Sequence, residues 1–196
     1  MCGRRVPSRE GRVPGREPAS GAYRRHSPLR IVAGRWRGRR ITAPPGTTVS
    51  PTLDRVREAW MSILQLDLPE ARVLDLYAGS GALGLEALSR GAVSADFVEK
   101  DPKSLRALQQ NIEALDAAGM TTVHRKAALP FAEALGPLDF DVVFADPPYA
   151  GGEAIALANR WTDQPFSRVL SVEHLAGEAM PAGGTTRKYG STAVTF

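Results

Sequence analysis

From Ala71 onward, apolar runs of strand length alternate with segments of helical periodicity, and this alternation constrains the fold more than any other feature. It is typical of a parallel sheet in which a helix follows each strand. The Thr- and Gly-rich stretch at 183–196 predicts a closing antiparallel hairpin. We therefore expect an α/β fold with a mostly parallel sheet, whose strands are predicted at 72–77, 92–98, 120–124, 140–145 and 168–173.

Three segments divide the chain. Residues 1–28 mix Arg, Gly, Pro and Ser with few large apolar side chains, which predicts a disordered basic tail. Residues 29–68 form an N-terminal extension, in which glycine-containing turns predict a basic β-hairpin before a helix. Thr52 is predicted to cap that helix, and its buried face is predicted to hold Leu53, Val56, Trp60, Ile63 and Leu64. Residues 69–196 are the expected main domain.

Charge is unevenly distributed along the chain. Residues 1–40 contain 12 arginines and two glutamates, whereas the rest holds 13 basic and 19 acidic side chains. This asymmetry predicts that the N-terminal part meets a polyanion, with a solubilising tail as the alternative. One cysteine and three scattered histidines give no disulfide framework and no metal-ligand spacing, so no metal is expected. No apolar run reaches the roughly 18 residues of a membrane span, and a cytoplasmic protein without membrane contact is expected.

A glycine-rich loop between Asp75 and Gly84 joins the first predicted strand to its helix. Its glycines allow the backbone to approach a nucleotide, and Glu99 at the next strand's tip can accept bonds from ribose hydroxyls. A nicotinamide cofactor and S-adenosylmethionine both present adenosine to such a crevice. Asp75 favours S-adenosylmethionine, because a carboxylate attracts its ammonium but repels a pyrophosphate. The candidate cofactor-binding residues are Asp75, Tyr77, Ala78, Gly79, Ser80, Gly81, Glu99, Lys100 and Asp146.

The tetrapeptide Asp146-Pro147-Pro148-Tyr149 ends the fourth predicted strand, which neighbours the first in a doubly wound sheet. The amino group of a nucleic-acid base is a poor nucleophile, because its lone pair is delocalised into the ring. Asp146 and the Pro147 carbonyl can each accept one N–H bond and draw the nitrogen towards tetrahedral geometry. Tyr149 offers a stacking face for the base. These three residues are the candidate catalytic set, and an ordinary turn is the alternative.

An arginine cluster in the predicted hairpin and the following helix is the candidate RNA-binding surface. Its guanidinium groups can neutralise phosphates, while Trp36 can either stack on a base or anchor the hairpin. Salt bridges on a solvated face are the alternative reading. The candidate RNA-binding residues are Arg35, Trp36, Arg37, Arg39, Arg40, Arg55 and Arg57.

From Leu29 to Phe196 these motifs resemble the RsmD family of 16S rRNA guanine-N2 methyltransferases, which depend on S-adenosylmethionine. The resemblance implies a Rossmann-like class I methyltransferase fold, with methyl transfer to N2 of a guanine in 16S rRNA. It also implies an assembling small ribosomal subunit as the partner, and we expect a monomer. The matching pieces are Arg30-Ile-Val-Ala-Gly-Arg-Trp-Arg-Gly-Arg, Pro51-Thr-Leu-Asp-Arg-Val-Arg-Glu58, the stretch 74–91, Val98-Glu-Lys-Asp101, Asp146-Pro-Pro-Tyr149 and Lys188-Tyr-Gly-Ser-Thr192.

One departure from the family lies at Lys126-Ala127-Ala128, where many relatives carry a polar side chain beside the adenine; here the backbone is expected to make that contact. Two other functions stay open. The tetrapeptide also suits adenine-N6 or cytosine-N4 methylation of DNA, which the lack of a separate target-recognition domain disfavours. A non-catalytic RNA-binding assembly factor is disfavoured by the intact Asp146.

Overall fold

The computed structural model describes residues 1, 29–46 and 51–196, so the tail expected at 1–28 lies almost wholly outside the described residues. The helices are α1 (Pro51–Ile63), α2 (Ala82–Ser89), α3 (Pro102–Ala114), α4 (Ala128–Glu133) and α5 (Glu153–Asp163). The strands are β1 (Arg72–Leu76), β2 (Ser94–Val98), β3 (Thr121–His124), β4 (Phe140–Ala145), β5 (Ser167–Leu175), β6 (Thr186–Tyr189) and β7 (Thr192–Thr195).

All seven strands form one sheet in the order β3-β2-β1-β4-β5-β7-β6. β1 to β5 run parallel, whereas β7 is antiparallel to both β5 and β6. β4 lies beside β1 in a register that pairs Leu76 with Ala145. Both the predicted fold class and the predicted adjacency of the first and fourth strands are confirmed.

Helices cover both faces of the sheet because its central strands are apolar on both sides. One face packs against α1, α2 and α3, and there Trp60 meets Phe144 edge-on with ring centroids 5.9 Å apart. The other face packs against α4 and α5 around Val143, Leu157 and Phe166. The result is three layers, with the carboxyl ends of the parallel strands open at one edge. No helix in the described ranges is both long and apolar enough to cross a bilayer.

Residues 29–46, here called the N-terminal segment, fold back on themselves as a short hairpin with one antiparallel bridge between Arg30 and Arg40. The amides of Ile31 and Ile41 donate across it to the carbonyls of Arg39 and Leu29 at 3.0 and 2.9 Å.

The buried carboxylate of Glu86 on α2 accepts the amides of Val32 at 2.7 Å and Ala33 at 3.0 Å. These amides would otherwise lie at the interface without partners. Glu86 therefore fastens the segment to the main domain.

Gly34 marks the closest approach of the N-terminal segment to α2. Its φ is +79°, and a Cβ added there would lie 1.8 Å from the Ser89 carbonyl oxygen. The next amide, that of Arg35, donates to the same oxygen at 2.8 Å. Only glycine permits this approach, since any side chain would occupy the space of the carbonyl.

Asn111 links the N-terminal segment to the glycine loop. Its side chain accepts the Thr42 amide at 2.7 Å and donates to the carbonyls of Thr42 and Ser80, both at 2.9 Å. The side chain is buried, and all of these bonds join backbone groups that are distant in sequence. One residue of α3 thus holds two loops in a fixed relation.

Some local predictions were wrong. α1 begins at Pro51, so Thr52 lies inside the helix and does not precede it as a cap. Ile63 is 43% exposed, whereas Met61 is buried in its place. α4 was not predicted. Its third residue is Pro130, which the helix tolerates because the amides of a first helical turn have no carbonyl partner within the helix.

Candidate active site

The carboxyl ends of three adjacent strands bring the predicted cofactor and catalytic residues together. Leu76 of β1 is in register with Val98 of β2 and with Ala145 of β4. The next residue on each strand is therefore at the same edge: Tyr77, Glu99 and Asp146. Candidate cofactor and substrate residues meet at this point because β1 lies between β2 and β4.

The glycine loop folds tightly over the end of β1. The Ala78 amide donates to the Val98 carbonyl at 3.0 Å, and the Gly81 amide donates to the Ala78 carbonyl at 2.6 Å. Gly81 has a φ of +79°, and an added Cβ would lie 2.4 Å from a Leu108 methyl group on α3. Glycine is required there both for the backbone conformation and for the close contact with α3.

Glu99 is held at the wall of the site by backbone amides. Its Oε2 accepts the Gly79 amide at 2.8 Å, and its Oε1 accepts the amides of Lys100 and Asp101, both at 2.7 Å. Three charge-assisted bonds fix the orientation of the carboxylate. Oε2 keeps an acceptor position for a further donor.

Asp75 lies deeper than the sequence suggested. The residue is 1% exposed, and its Oδ2 accepts the Gly84 amide at 2.9 Å. Burial raises the pKa of Asp75 to about 7, with a smaller increase from Glu99, against a lowering by the Gly84 amide. Asp75 can therefore act on a bound cation through its charge but offers almost no open surface.

Asp146 is exposed to solvent, although protein atoms crowd around its carboxyl group. Crowding by protein atoms and, to a smaller extent, the nearby carboxylates of Glu173 and Asp75 together raise the pKa of its carboxyl to about 7. Pro147 is buried and has no amide hydrogen, so it contributes a carbonyl acceptor beside Asp146 but no competing donor.

Tyr149 is 44% exposed, yet its hydroxyl is held by two side chains of the protein. It donates to Glu173 Oε1 at 2.7 Å and lies 2.9 Å from Thr192 Oγ1. Burial and the Glu173 carboxylate raise the pKa of Tyr149 to about 12 against a lowering by Thr192, and burial also raises the pKa of Glu173. Sequence reasoning missed Glu173 and Thr192; an acidic residue inside the apolar run of β5 was the available signal.

A cavity of about 150 Å³ opens beside Glu99. The Tyr77 hydroxyl on its wall is buried and makes no hydrogen bond of normal geometry among the described residues, although it lies close to the Glu153 carboxylate. Burial and this carboxylate raise the pKa of Tyr77. The described residues contain no cluster of His, Cys, Asp or Glu side chains suited to a metal ion. The cavity is lined by Tyr77, Val98, Glu99, Lys100, Lys126, Ala127, Ala128, Leu129, Pro130 and Glu153.

Two of the arginines predicted to contact RNA bind helix ends within the protein. Arg35 donates to the Leu88 carbonyl in α2 at 2.9 Å and stacks on Trp36, and Arg39 donates to the Ala114 carbonyl at the end of α3. The final carbonyls of a helix lack helical partners and attract cations.

Arg57 pairs with Asp54 at 3.2 Å and its side chain is only 12% exposed. Its guanidinium group therefore offers little open surface to a phosphate. The exposed arginines of the predicted RNA-binding set are Arg35, Arg37, Arg39, Arg40 and Arg55.

Comparison with known proteins gives a consistent result. A family profile described as "Conserved hypothetical protein 95" matches residues 29–166. The chain is 40% identical over 124 residues to "Ribosomal RNA small subunit methyltransferase D" of Escherichia coli, covering 63% of this chain and 62% of that protein. The protein of the same name in Haemophilus influenzae is 36% identical over 140 residues, which cover 68% and 72% of the two chains.

A solved structure of a hypothetical protein from Thermus thermophilus superimposes with a TM-score of 0.70 at 35% identity, covering 85% of this chain and 97% of that one. The alignment with the Escherichia coli relative spans less than two thirds of that relative's length. The profile nevertheless matches most of this chain, including the glycine loop, Glu99 and the Asp-Pro-Pro-Tyr tetrapeptide. The chain therefore belongs to the family described as conserved hypothetical protein 95, the RsmD family that its motifs resemble.

Proposed function

We propose that this chain transfers a methyl group from S-adenosylmethionine to the exocyclic N2 of a guanine in 16S ribosomal RNA. One observation carries the proposal: Asp146 emerges beside the glycine loop and Glu99, in register across three adjacent strands. The names of the relatives in Escherichia coli and Haemophilus influenzae support ribosomal RNA of the small subunit as the substrate class. The choice of guanine N2 rests on the motif resemblance.

The chemistry of the cavity suits the proposed cofactor. Glu99 and Glu153 line it together with Lys100 and Lys126, and the carboxylates of Asp75 and Asp146 lie nearby. Carboxyl groups therefore outnumber ammonium groups around the cavity and can attract a cation. Glu99 Oε2 retains an acceptor position for a ribose hydroxyl, and the Tyr77 hydroxyl is a buried donor that needs a partner. S-adenosylmethionine carries both an ammonium and a sulfonium, and when bound it supplies an electrophilic methyl group.

The residues of the tetrapeptide prepare the base amino group. The Asp146 carboxylate and the Pro147 carbonyl accept its two N–H bonds, which localises the nitrogen lone pair. The Tyr149 ring supports the base, and its hydroxyl is anchored by Glu173 and Thr192 so that the ring keeps its orientation. When the nitrogen bonds to the methyl carbon and the carbon–sulfur bond breaks, one N–H proton would pass to Asp146. The raised pKa of Asp146 suits both acceptance of this proton and its later release.

The substrate is proposed to approach across exposed arginines of the N-terminal segment and α1. Arg37, Arg40 and Arg55 are exposed and can neutralise phosphates. The N-terminal segment is fastened to α2 by Glu86, so its arginines have a defined position relative to the main domain. An assembling small ribosomal subunit is the proposed partner, with this chain acting as a monomer.

The function can be tested by incubating the protein with radiolabelled S-adenosylmethionine and one of three acceptors: small subunits lacking their modifications, free 16S RNA, or DNA. Label in guanine N2 of the small-subunit RNA is the expected result. Label in DNA alone would refute the ribosomal proposal. Label in no acceptor, with S-adenosylmethionine binding retained, would instead favour the assembly-factor alternative.

The proposed mechanism predicts a rise of activity with pH. Asp146 accepts N–H bonds only as a carboxylate, and its pKa is raised to about 7. We therefore expect kcat/KM to increase with pH through neutrality and then level off, as steady-state assays at constant ionic strength can measure. A profile without an inflection near neutral pH would contradict the role of Asp146.

The Glu173→Gln variant provides a matched test of the same prediction. Glutamine keeps a carbonyl acceptor for the Tyr149 hydroxyl but removes the negative charge that raises the pKa of Asp146. The inflection should therefore move to lower pH while the affinity for RNA stays similar. An unchanged inflection would show that the charge of Glu173 does not act on the titrating group.

A further inference from the structure

A groove of about 530 Å³ lies between α3 and the residues that follow β3. Its cationic side chains come from three places: Lys100 from the loop after β2, Arg106 from α3, and Arg125 from the loop after β3. Among the residues that the structure describes, no carboxylate lines it. Three positive charges thus converge on one concave surface from parts of the chain that are separate in sequence.

The charges in this groove differ from those of other arginines in the protein. Arg57, Arg72 and Arg90 each pair with a carboxylate. Within the part of the chain that the structure describes, Arg106 and Arg125 form no ion pair, and both are exposed. Acidic side chains outnumber basic ones beyond residue 40, so a groove whose charged lining residues are all cationic is not the average surface of this domain.

The floor of the groove is apolar. Half-buried Leu105 and Val123 and exposed Pro102 line the groove between the cations, and Gln109 is its one uncharged polar lining residue among those described. Such a floor suits the sugar face of a nucleotide chain, while guanidinium groups match the paired oxygens of a phosphate. This combination of apolar floor and cationic rim is suited to a polyanion with apolar sugars more than to a single small anion.

The groove adjoins the candidate cofactor cavity. Lys100 lines both, so the two share a wall at the edge where the parallel strands end. RNA whose target base reaches Asp146 must have flanking nucleotides near this edge. The N-terminal segment packs against α2 and the end of α3, so the groove is separate from the arginine cluster found by sequence analysis.

We propose that the groove lined by Lys100, Arg106 and Arg125 binds the phosphodiester backbone of the substrate RNA beside the target nucleotide. This inference rests on the proposed function and adds a second RNA-binding surface to it. It places RNA contacts on the β3 side of the sheet. An acidic protein surface is the competing partner, and the experiment distinguishes the two.

The test uses the full chain carrying Arg106→Gln and Arg125→Gln, with Lys100 left intact because it lines the cofactor cavity. The control carries Arg168→Gln and Arg187→Gln, which remove the same charge from exposed side chains of β5 and β6 that form no ion pair among the described residues. Affinity for a 16S RNA fragment is measured by fluorescence anisotropy over a range of salt concentrations. Thermal midpoints and S-adenosylmethionine affinity, measured alongside, show whether both variants remain folded.

Losing two phosphate contacts should reduce the slope of log affinity against log salt by about 1.4 to 1.8. The loss of RNA affinity relative to wild type should then be about tenfold smaller at about 200 mM salt than at about 50 mM salt. S-adenosylmethionine affinity should stay unchanged, since neither Arg106 nor Arg125 lines the cofactor cavity. The control should keep a slope closer to wild type.

Equal slopes for the two variants would overturn the groove as an RNA site and leave the proposed function standing. Weaker binding to small subunits with an unchanged slope on free RNA would also overturn it, in favour of an acidic protein partner. A wild-type chain that binds S-adenosylmethionine but neither binds nor methylates RNA would remove the proposed function, and the groove proposal with it.

Discussion

Replacing Asp146 by alanine is expected to remove nearly all methyl transfer, a loss of about a thousandfold, while S-adenosylmethionine still binds. The variant loses one of the two acceptors that hold the base amino group and also the group that takes its proton. Glu99 and the glycine loop do not depend on Asp146 for their hydrogen bonds, so the cofactor site should persist. Single-turnover assays and calorimetric titration measure the two properties separately.

The Asp146→Asn variant is the matched control. Its side-chain oxygen still accepts one N–H bond, and the wider class of amino methyltransferases that this motif resembles carries either Asn or Asp at this position. It should therefore retain more activity than the alanine variant, and its activity should lose the inflection near neutral pH. Near-normal turnover in the alanine variant would refute the proposed role of Asp146.

Replacing Gly34 by alanine is expected to lower the free energy of unfolding by about 3 kcal/mol or more, or to release the N-terminal segment from α2. The added Cβ would lie 1.8 Å from the Ser89 carbonyl oxygen, and the residue has a positive φ. If the whole domain is destabilised, the thermal midpoint should fall by about 6 to 12 °C. Hydrogen exchange at the Val32 and Arg35 amides would reveal local release instead.

Gly38 supplies the control for this prediction. Its φ is +82°, but a Cβ added there meets no atom within 4 Å. The Gly38→Ala variant should therefore lose only about 1 kcal/mol of unfolding free energy, which is the cost of backbone strain. If both variants lost equal stability, the close contact between Gly34 and α2 would not be what holds the segment.

The sequence predicted the order of the central elements because apolar runs and glycine-containing turns mark them locally. β4 was predicted with the observed bounds, and Asp101 caps α3 as expected by accepting the amides of Lys103 and Ser104. α4 was missed because Pro130 reads as a helix breaker unless its place in the first turn is known. The N-terminal hairpin is present but short, and the bonds that fasten it to α2 could not be predicted from local sequence.

The residues of the candidate site could be predicted where they belong to a sequence motif. They could not be predicted where their role depends on tertiary contacts. Glu99 follows β2 and Asp146 follows β4, and each of these strands lies beside β1. The alternation of strands and helices in the sequence predicted the neighbouring positions of the first and fourth strands. Glu86 and Glu173 were missed, because a buried carboxylate depends on partners that lie far away in the chain. The bonds of Arg35 and Arg39 to helix carbonyls were missed for the same reason, because composition shows the charge but not the acceptor that it meets. Their contact with RNA stays a prediction.

The three-layer arrangement also distributes intrinsic fluorophores. The chain has three tryptophans: Trp36 in the N-terminal segment, Trp60 between α1 and the sheet, and Trp161 in α5 on the opposite face. Variants retaining a single tryptophan would emit from one layer each, the fully buried Trp60 at the shortest wavelength. Optical spectroscopy could then follow the loosening of the segment separately from the melting of either face, without any attached dye.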